Sequence, residues 1–344
     1  MWTRGDTERR RGGALLAVLW LTAALAAIGL AVASRVRAET ERSATALDGL
    51  RAYYLAVGAI ERTILYMDWG PGPTGPDGEP RYWAPWRSRF YFQFPGGDAV
   101  VEIIPEAAKL NLNTAKVEDL FALLVSLGAE PERAREIALA IVDWRTPIPP
   151  GQLSPFDQYY LSLVPSFRAR HASFEEVEEV LLVKGMTPEL FYGDYVPDAE
   201  GRLQPRGGFR DCVTVYGSSG RLDVNTAPAP LLASVGLSPG AVAWIVQTRR
   251  LTPFRDMRQL EPLSGEPGSH RLGIGGNTIF TLRATARLRL ADGRLSDSRR
   301  SVAATIKRLP PGFDRTYHVL RWFENAWAHG SEPDIWLAAP STGS

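Results

Sequence analysis

The longest apolar run sits near the start of the chain. From Gly12 to Ser34 the residues read GGALLAVLWLTAALAAIGLAVAS, without a charge or a proline. At 1.5 Å per residue, such a helix spans a hydrocarbon layer of about 30 Å. The pattern then changes instead of stopping. Leu47, Leu50, Tyr54, Val57, Glu61 and Ile64 fall three or four apart, the spacing of a helix with a mostly apolar stripe. No proline intervenes before Pro71, so one helix of roughly 55 residues and roughly 80 Å is expected to run to Met67. The turn formers of WGPGPTGPDGEP, residues 69–80, then end it.

Beyond that stop, period-two and helical patterns alternate. FYFQF (90–94) and AVVEII (99–104) predict a strand pair turning at Gly96-Gly97-Asp98. FTLRATARLRL (280–290) alternates, with Phe280, Leu282, Ala284, Ala286, Leu288 and Leu290 on one face. Thr281, Arg283, Thr285, Arg287 and Arg289 form the other face, predicted to meet water or a partner. SVAATIK and YHVLRW predict two more strands. Between the strand groups lies a repeat. Leu110-Asn111-Leu112-Asn113-Thr114-Ala115 returns as Leu222-Asp223-Val224-Asn225-Thr226-Ala227. Each copy precedes two helical patterns, the first around Gly128 and the second around Gly236 and Gly240, which reads as a helix-hairpin-helix unit. Asn111, Asn113, Thr114, Asp223, Asn225 and Thr226 mark the repeats, and the Asn-Thr pair is expected to cap the first helix of each. Residues 174–193 predict a further helix with Phe174, Val177, Val180 and Leu181 inward and Glu175, Glu176, Glu178 and Glu179 on a solvated face.

Composition narrows the chemistry. With 39 basic and 38 acidic residues the net charge is +1, which gives no footprint for nucleic acid. Between Lys109 and Arg145 the acidic side chains outnumber the basic ones, so phosphate would be repelled about as much as attracted. The lone cysteine, Cys212, excludes an intrachain disulfide. His171, His270, His318 and His329 are too scattered in sequence for the usual zinc pattern. Gly273-Ile274-Gly275-Gly276 lacks the third spaced glycine of a nucleotide loop and reads as a turn. No catalytic motif is present, and no enzyme is expected.

The basic leader with Arg9-Arg10-Arg11, then Gly12, then a uniformly apolar helix continuing into an amphipathic one resembles the processing site and stem of type IV pilins and pseudopilins. Most members carry glutamate as the fifth mature residue; here that place holds Ala17. With the two Asn-Thr-Ala repeats, Asp143-Trp144, and Lys184-Gly185-Met186-Thr187-Pro188, the order of motifs resembles the pseudopilin K family of type II secretion systems. The resemblance implies an α+β fold in which a long amino-terminal helix packs on a pilin-like antiparallel sheet, interrupted by a large helical insertion. The implied division is a leader at 1–12, a membrane helix at 13–34, an amphipathic stem at 35–68 and first strands at 69–108. An inserted helical domain at 109–265 follows, with repeats at 109–146 and 221–262, then a terminal sheet at 266–325 and a flexible tail at 326–344.

The resemblance further implies cleavage after Gly12 by a prepilin peptidase, leaving Gly13 as the methylated amino terminus. A single-pass inner-membrane protein results, its amino terminus cytoplasmic and its body periplasmic, at the tip of the pseudopilus. Partners implied are the minor pseudopilins I and J, the major pseudopilin, the inner-membrane assembly platform, and the secretin or exported substrate; no nucleic acid and no cofactor are implied. Some relatives bind calcium. Here carboxylates expected near Pro105 and after Arg145 are missing, which leaves Asp143, Asp157, Asp194 and Asp198 as metal candidates. Two other readings stay open: a membrane-anchored helix-hairpin-helix protein of DNA uptake or a pilus, and a secreted protein released after Ala31-Val32-Ala33.

Overall fold

A computed structural model of the protein describes residues 6–76, 78–197, 200–217, 221–276, 278–310 and 312–326. It contains two units, one ending at Tyr54 and one beginning at Leu55, and helix α1 (Asp6–Trp69) contributes to both. In the first unit every side chain from Gly13 to Arg51 is exposed, including Leu15, Trp20 and Ile28. The helix from Gly13 is long and apolar enough to cross a membrane. So much exposed apolar surface is costly in water and calls for lipid or protein around it.

In the second unit, β1 (Arg89–Phe94) and β2 (Gly97–Pro105) form a hairpin. Phe94 pairs with Gly97, so the turn residues are Pro95 and Gly96 rather than the expected Gly96-Gly97-Asp98. The insertion then opens with β3 (Leu110–Asn111), α2 (Val117–Ser126) and α3 (Pro131–Arg145). Next come α4 (Asp157–Leu161), a 3-10 turn (Val177–Leu182), α5 (Pro188–Tyr192), the hairpin of β4 (Gly193–Pro197) and β5 (Leu203–Gly207), and α6 (Phe209–Cys212). Strand β6 (Val213–Thr214) closes this round by pairing in parallel with β3. A second round follows: β7 (Leu222–Asp223), α7 (Ala229–Ser234), α8 (Pro239–Leu251) and a 3-10 turn (Met257–Leu263), closed by β8 (Leu272–Gly273) in parallel with β7. The second round therefore reaches past residue 265.

The helix pairs are joined alike. Gly128 and Gly236 take φ of +90° and +98° just past the first helix, a conformation that penalises any Cβ. Glu130 and Ser238 then cap the second helix, with Pro131 and Pro239 at its first position. Gly240, expected in the turn, lies inside α8. The helix expected over 174–193 is instead the 3-10 turn and the short α5, separated by Gly185 at φ +86°.

Strands β9 (Ile279–Leu288), β10 (Arg300–Arg308) and β11 (Tyr317–Phe323) complete an antiparallel sheet in the order β1-β2-β9-β10-β11. One face meets the end of α1: Tyr66 packs edge-on against Phe90 and Phe92, and the Arg308 guanidinium donates to the Met67 carbonyl at 3.1 Å. The opposite face of β9 does not face water as expected. Thr281, Arg283 and Thr285 are buried, because a central strand is shielded by its neighbours on both sides. The Arg283 charge is met by Glu102 at 2.7 Å, directly across the ladder, and the Thr281 hydroxyl donates to Glu106 at 2.6 Å.

Candidate functional site

Two regions carry the residues singled out by the sequence. The first is the start of α1. Gly12 and Gly13 lie within the helix, and Ala17 is exposed on it. From Gly13 to Ser34 α1 carries no ionisable side chain and is exposed throughout, so the only chemistry it offers is apolar contact.

The second region is the pair of repeats, where the marked side chains do not cap helices. The N-cap of α2 is Lys116 and that of α7 is Pro228, neither with a side-chain cap bond. Asn113 instead reaches across the fold. Its Oδ1 accepts from the Phe174 amide at 2.7 Å, and its Nδ2 donates to the Phe174 carbonyl at 3.0 Å. Asn225 does the same with Phe254, at 2.8 Å and 2.9 Å. An asparagine is the residue for this task, since its amide matches a peptide group donor for acceptor. A guanidinium bolts each repeat from another side. Arg145 donates to the carbonyls of Leu112 and Ala115, and Arg249 to those of Val224 and Ala227 at 3.0 Å and 2.7 Å.

Asn111 and Asp223 are equivalent in position but differ in charge. Asn111 accepts from the Asn113 amide and donates to the Tyr216 carbonyl. Asp223 accepts from the Gly275 amide at 2.7 Å and from the Thr226 hydroxyl at 2.5 Å. Burial pushes the Asp223 carboxyl up, against the pull of these donors and of Arg249. Thr114, the counterpart of Thr226, is exposed.

Two of the glutamates of 175–179, Glu175 and Glu179, meet at Arg170, while Glu176 pairs with Arg321. Glu179 accepts from the amides of Glu175 and Glu176, and with Glu175 it holds Arg170. Gln259 accepts from the Arg255 and Asp256 amides in the same way. Phe174-Glu175-Glu176-Val177-Glu178-Glu179 and Phe254-Arg255-Asp256-Met257-Arg258-Gln259 are thus the same phrase, a further repeat that the sequence reading missed. An aromatic followed two residues later by an acid, and three beyond that by Glu or Gln, was the available signal.

The metal candidates are not gathered into a site. Asp143 accepts from the Ser154 hydroxyl at 2.8 Å, Asp194 is bidentate to Arg206, and Asp198 lies outside the described residues. Asp157 is buried. It accepts from the Ser154 amide at 2.9 Å and faces His171 Nε2 at 3.1 Å. Burial alone would raise its carboxyl, but the Ser154 amide and His171 outweigh that and hold it below the ordinary Asp value. Among the described residues no group of three or more His, Cys, Asp or Glu is placed to hold a metal ion. His171, set aside in the sequence, is the brace of this corner; its Nδ1 lies 3.2 Å from the Thr146 carbonyl. Cys212 is buried, and burial pushes its thiol far up, so it stays protonated and unreactive. At the turn before α8 a carboxylate is already seated: Glu266 accepts from the Ser238 amide at 2.8 Å and hydroxyl at 2.6 Å. An incoming phosphate would be repelled there.

A family model, type II secretion system protein K, matches residues 104–192. The chain is 25% identical over 319 residues to type II secretion system protein K of Pseudomonas aeruginosa, covering 87% of this chain and 89% of that protein. It is 28% identical over 203 residues to the protein of that name from Klebsiella pneumoniae, covering 54% and 60%. The fold is similar to a chain in the crystal structure of the GspK-GspI-GspJ complex from the enterotoxigenic Escherichia coli type 2 secretion system. That likeness has a TM-score of 0.53 at 17% identity, covering 83% of this chain and all of that one. Motif order, family model and relatives agree: the chain is similar to the type II secretion system protein K family.

Proposed function

We propose that this chain is the minor pseudopilin that takes the tip of a periplasmic pseudopilus. A prepilin peptidase cuts after Gly12, and Gly13 becomes the methylated amino terminus. The helix that follows holds the protein in the inner membrane, with the body periplasmic, until it is drawn into the filament. The observation that carries this reading is the fully exposed, charge-free helix from Gly13 with Ala17 as its fifth residue. A buried charge in an apolar phase needs a partner, and a subunit with no neighbour above it can dispense with the glutamate that would otherwise find one.

Partners by this reading are the minor pseudopilins I and J, as in the complex named for the similar solved structure. The major pseudopilin and the assembly platform come next. The two repeats act as helix-hairpin-helix units turned to protein contact, with their bulk accommodated where nothing stacks above. The work is mechanical, without a catalytic step.

Mass spectrometry of the mature amino terminus tests the proposal. A chain beginning at Gly13, reverting to the full length when the host's prepilin peptidase is deleted, is the expected result. A mature chain beginning at Ser34, or one unchanged by that deletion, overturns it.

A further inference from the structure

One repeat carries a lobe that the other lacks. In the second repeat four residues, 250–253, separate the Arg249 bolt from the Phe254 clamp, whereas in the first the stretch 146–173 intervenes between Arg145 and Phe174. The lobe folds around buried rings. Tyr160 accepts from the Lys184 amide at 3.2 Å and packs with Phe167 against Trp144. Polar contacts brace it against the end of α3: the Ser154 hydroxyl donates to Asp143 at 2.8 Å, and the Ser154 amide to Asp157 at 2.9 Å.

His171 closes the lobe. Its Nδ1 lies 3.3 Å from the Asp143 carbonyl and 3.2 Å from the Thr146 carbonyl, and its Nε2 lies 3.2 Å and 3.1 Å from the two carboxylate oxygens of Asp157. The lobe begins at Thr146, so one ring joins its two ends and, through Asp157, its middle. Among the described residues His171 is also the one residue other than glycine in the left-handed region, at φ +47°. A residue with a Cβ is disfavoured there, and the contacts of the ring hold it in place.

Every polar atom that the ring meets is an acceptor. A neutral imidazole has one N–H and would turn a lone pair toward oxygen, whereas the imidazolium donates from both nitrogens. Two carboxylate oxygens and two backbone carbonyls are also the kind of ligand that a hard cation such as calcium takes. Asp157 supplies the negative partner, its carboxyl lying below the ordinary Asp value. The two carbonyls stand at the C-terminal end of α3, where the helix dipole favours positive charge. Neither nearby guanidinium provides it: Arg145 is spent on the Leu112 and Ala115 carbonyls, and Arg170 on Glu175 and Glu179.

We propose that His171 is the resident cation of this corner, so that the lobe is latched by a charge of the protein itself and needs no divalent metal. The exposed Leu153, Leu161 and Val164 are then presented in one arrangement whatever the calcium level around the protein. The inference stands on these contacts and does not depend on the secretion reading.

Hydrogen exchange in the full-length chain in detergent tests it, with the amides of 229–251 as the internal reference. In the wild type, protection of the amides of 147–167 in excess calcium and in EDTA should agree within about two-fold. His171→Gln, which keeps a donor but not the charge, should lower that protection by about ten-fold or more, and His171→Lys should restore most of it. A wild-type lobe that calcium tightens, a His171→Gln chain as protected as the wild type, or a His171→Lys chain no better protected than His171→Gln overturns the proposal. Should the variants misfold, the wild-type comparison decides: equal protection upholds the proposal, and a lobe that responds to calcium overturns it.

Discussion

The two repeats of the insertion share a skeleton and differ in what is hung on it. Each has an asparagine clamped to the backbone of a phenylalanine, an arginine on two carbonyls, a glycine turn and a two-residue parallel strand pair. The first adds the braced lobe and the β4–β5 hairpin; the second is compact and buries an ionisable Asp223 where the first has Asn111. What recurs is what satisfies backbone polar groups in a core without long strands. What varies is the length of chain between those fixed points and one buried acceptor, Asp223 against Asn111, which takes a backbone amide in either form.

The largest test of that equivalence removes the clamped rings. Phe254→Ala should cost about 3–5 kcal/mol in denaturant unfolding, as a fully buried aromatic does. Phe174→Ala should cost a similar amount and also loosen the lobe, since its ring stacks on Trp144. Equal, lobe-independent effects would break the distinction between the repeats. Next come the clamps: Asn225, which is buried, should lose about 2–3 kcal/mol as Asn225→Ala, and the half-buried Asn113 about 1–2 kcal/mol. The reverse order would show that burial does not set the difference.

Acid should separate the repeats by sign. Asp157 is held below its ordinary value, so its stabilisation is present above about pH 4 and is lost as pH falls through the folded value. Asp223 is raised, so the folded protein holds that proton more tightly than the unfolded chain and loses stability as pH climbs from the unfolded to the folded value. Across a stability series from about pH 3 to pH 7, Asp157→Asn should flatten the gain with rising pH, and Asp223→Asn should remove the opposing loss. The smallest expected effects are at the threonines. Thr226→Ala loses the bond to Asp223 and about 1 kcal/mol, whereas Thr114→Ala at the exposed counterpart should stay within about 0.5 kcal/mol of wild type.

By itself the sequence determined the periodic elements: the long amino-terminal helix, the strand patterns and the helix pairs of the insertion. Helical and strand periods are local, and the lack of charge from Gly13 to Ser34 is a property of composition. Only the tertiary structure decided what the marked residues do. Asn113 looked like a cap because its neighbours in sequence form a helix start, yet its partner Phe174 is a distant residue with no local trace. Arg283 looked exposed because alternation distinguishes two faces but not whether both are covered; Glu102, reached only through strand pairing, makes its burial tolerable. His171 gained its role in the same manner, by meeting Asp157 and the end of α3 in space. A period is written in consecutive residues, whereas a hydrogen-bond partner far along the chain is chosen only when the core closes.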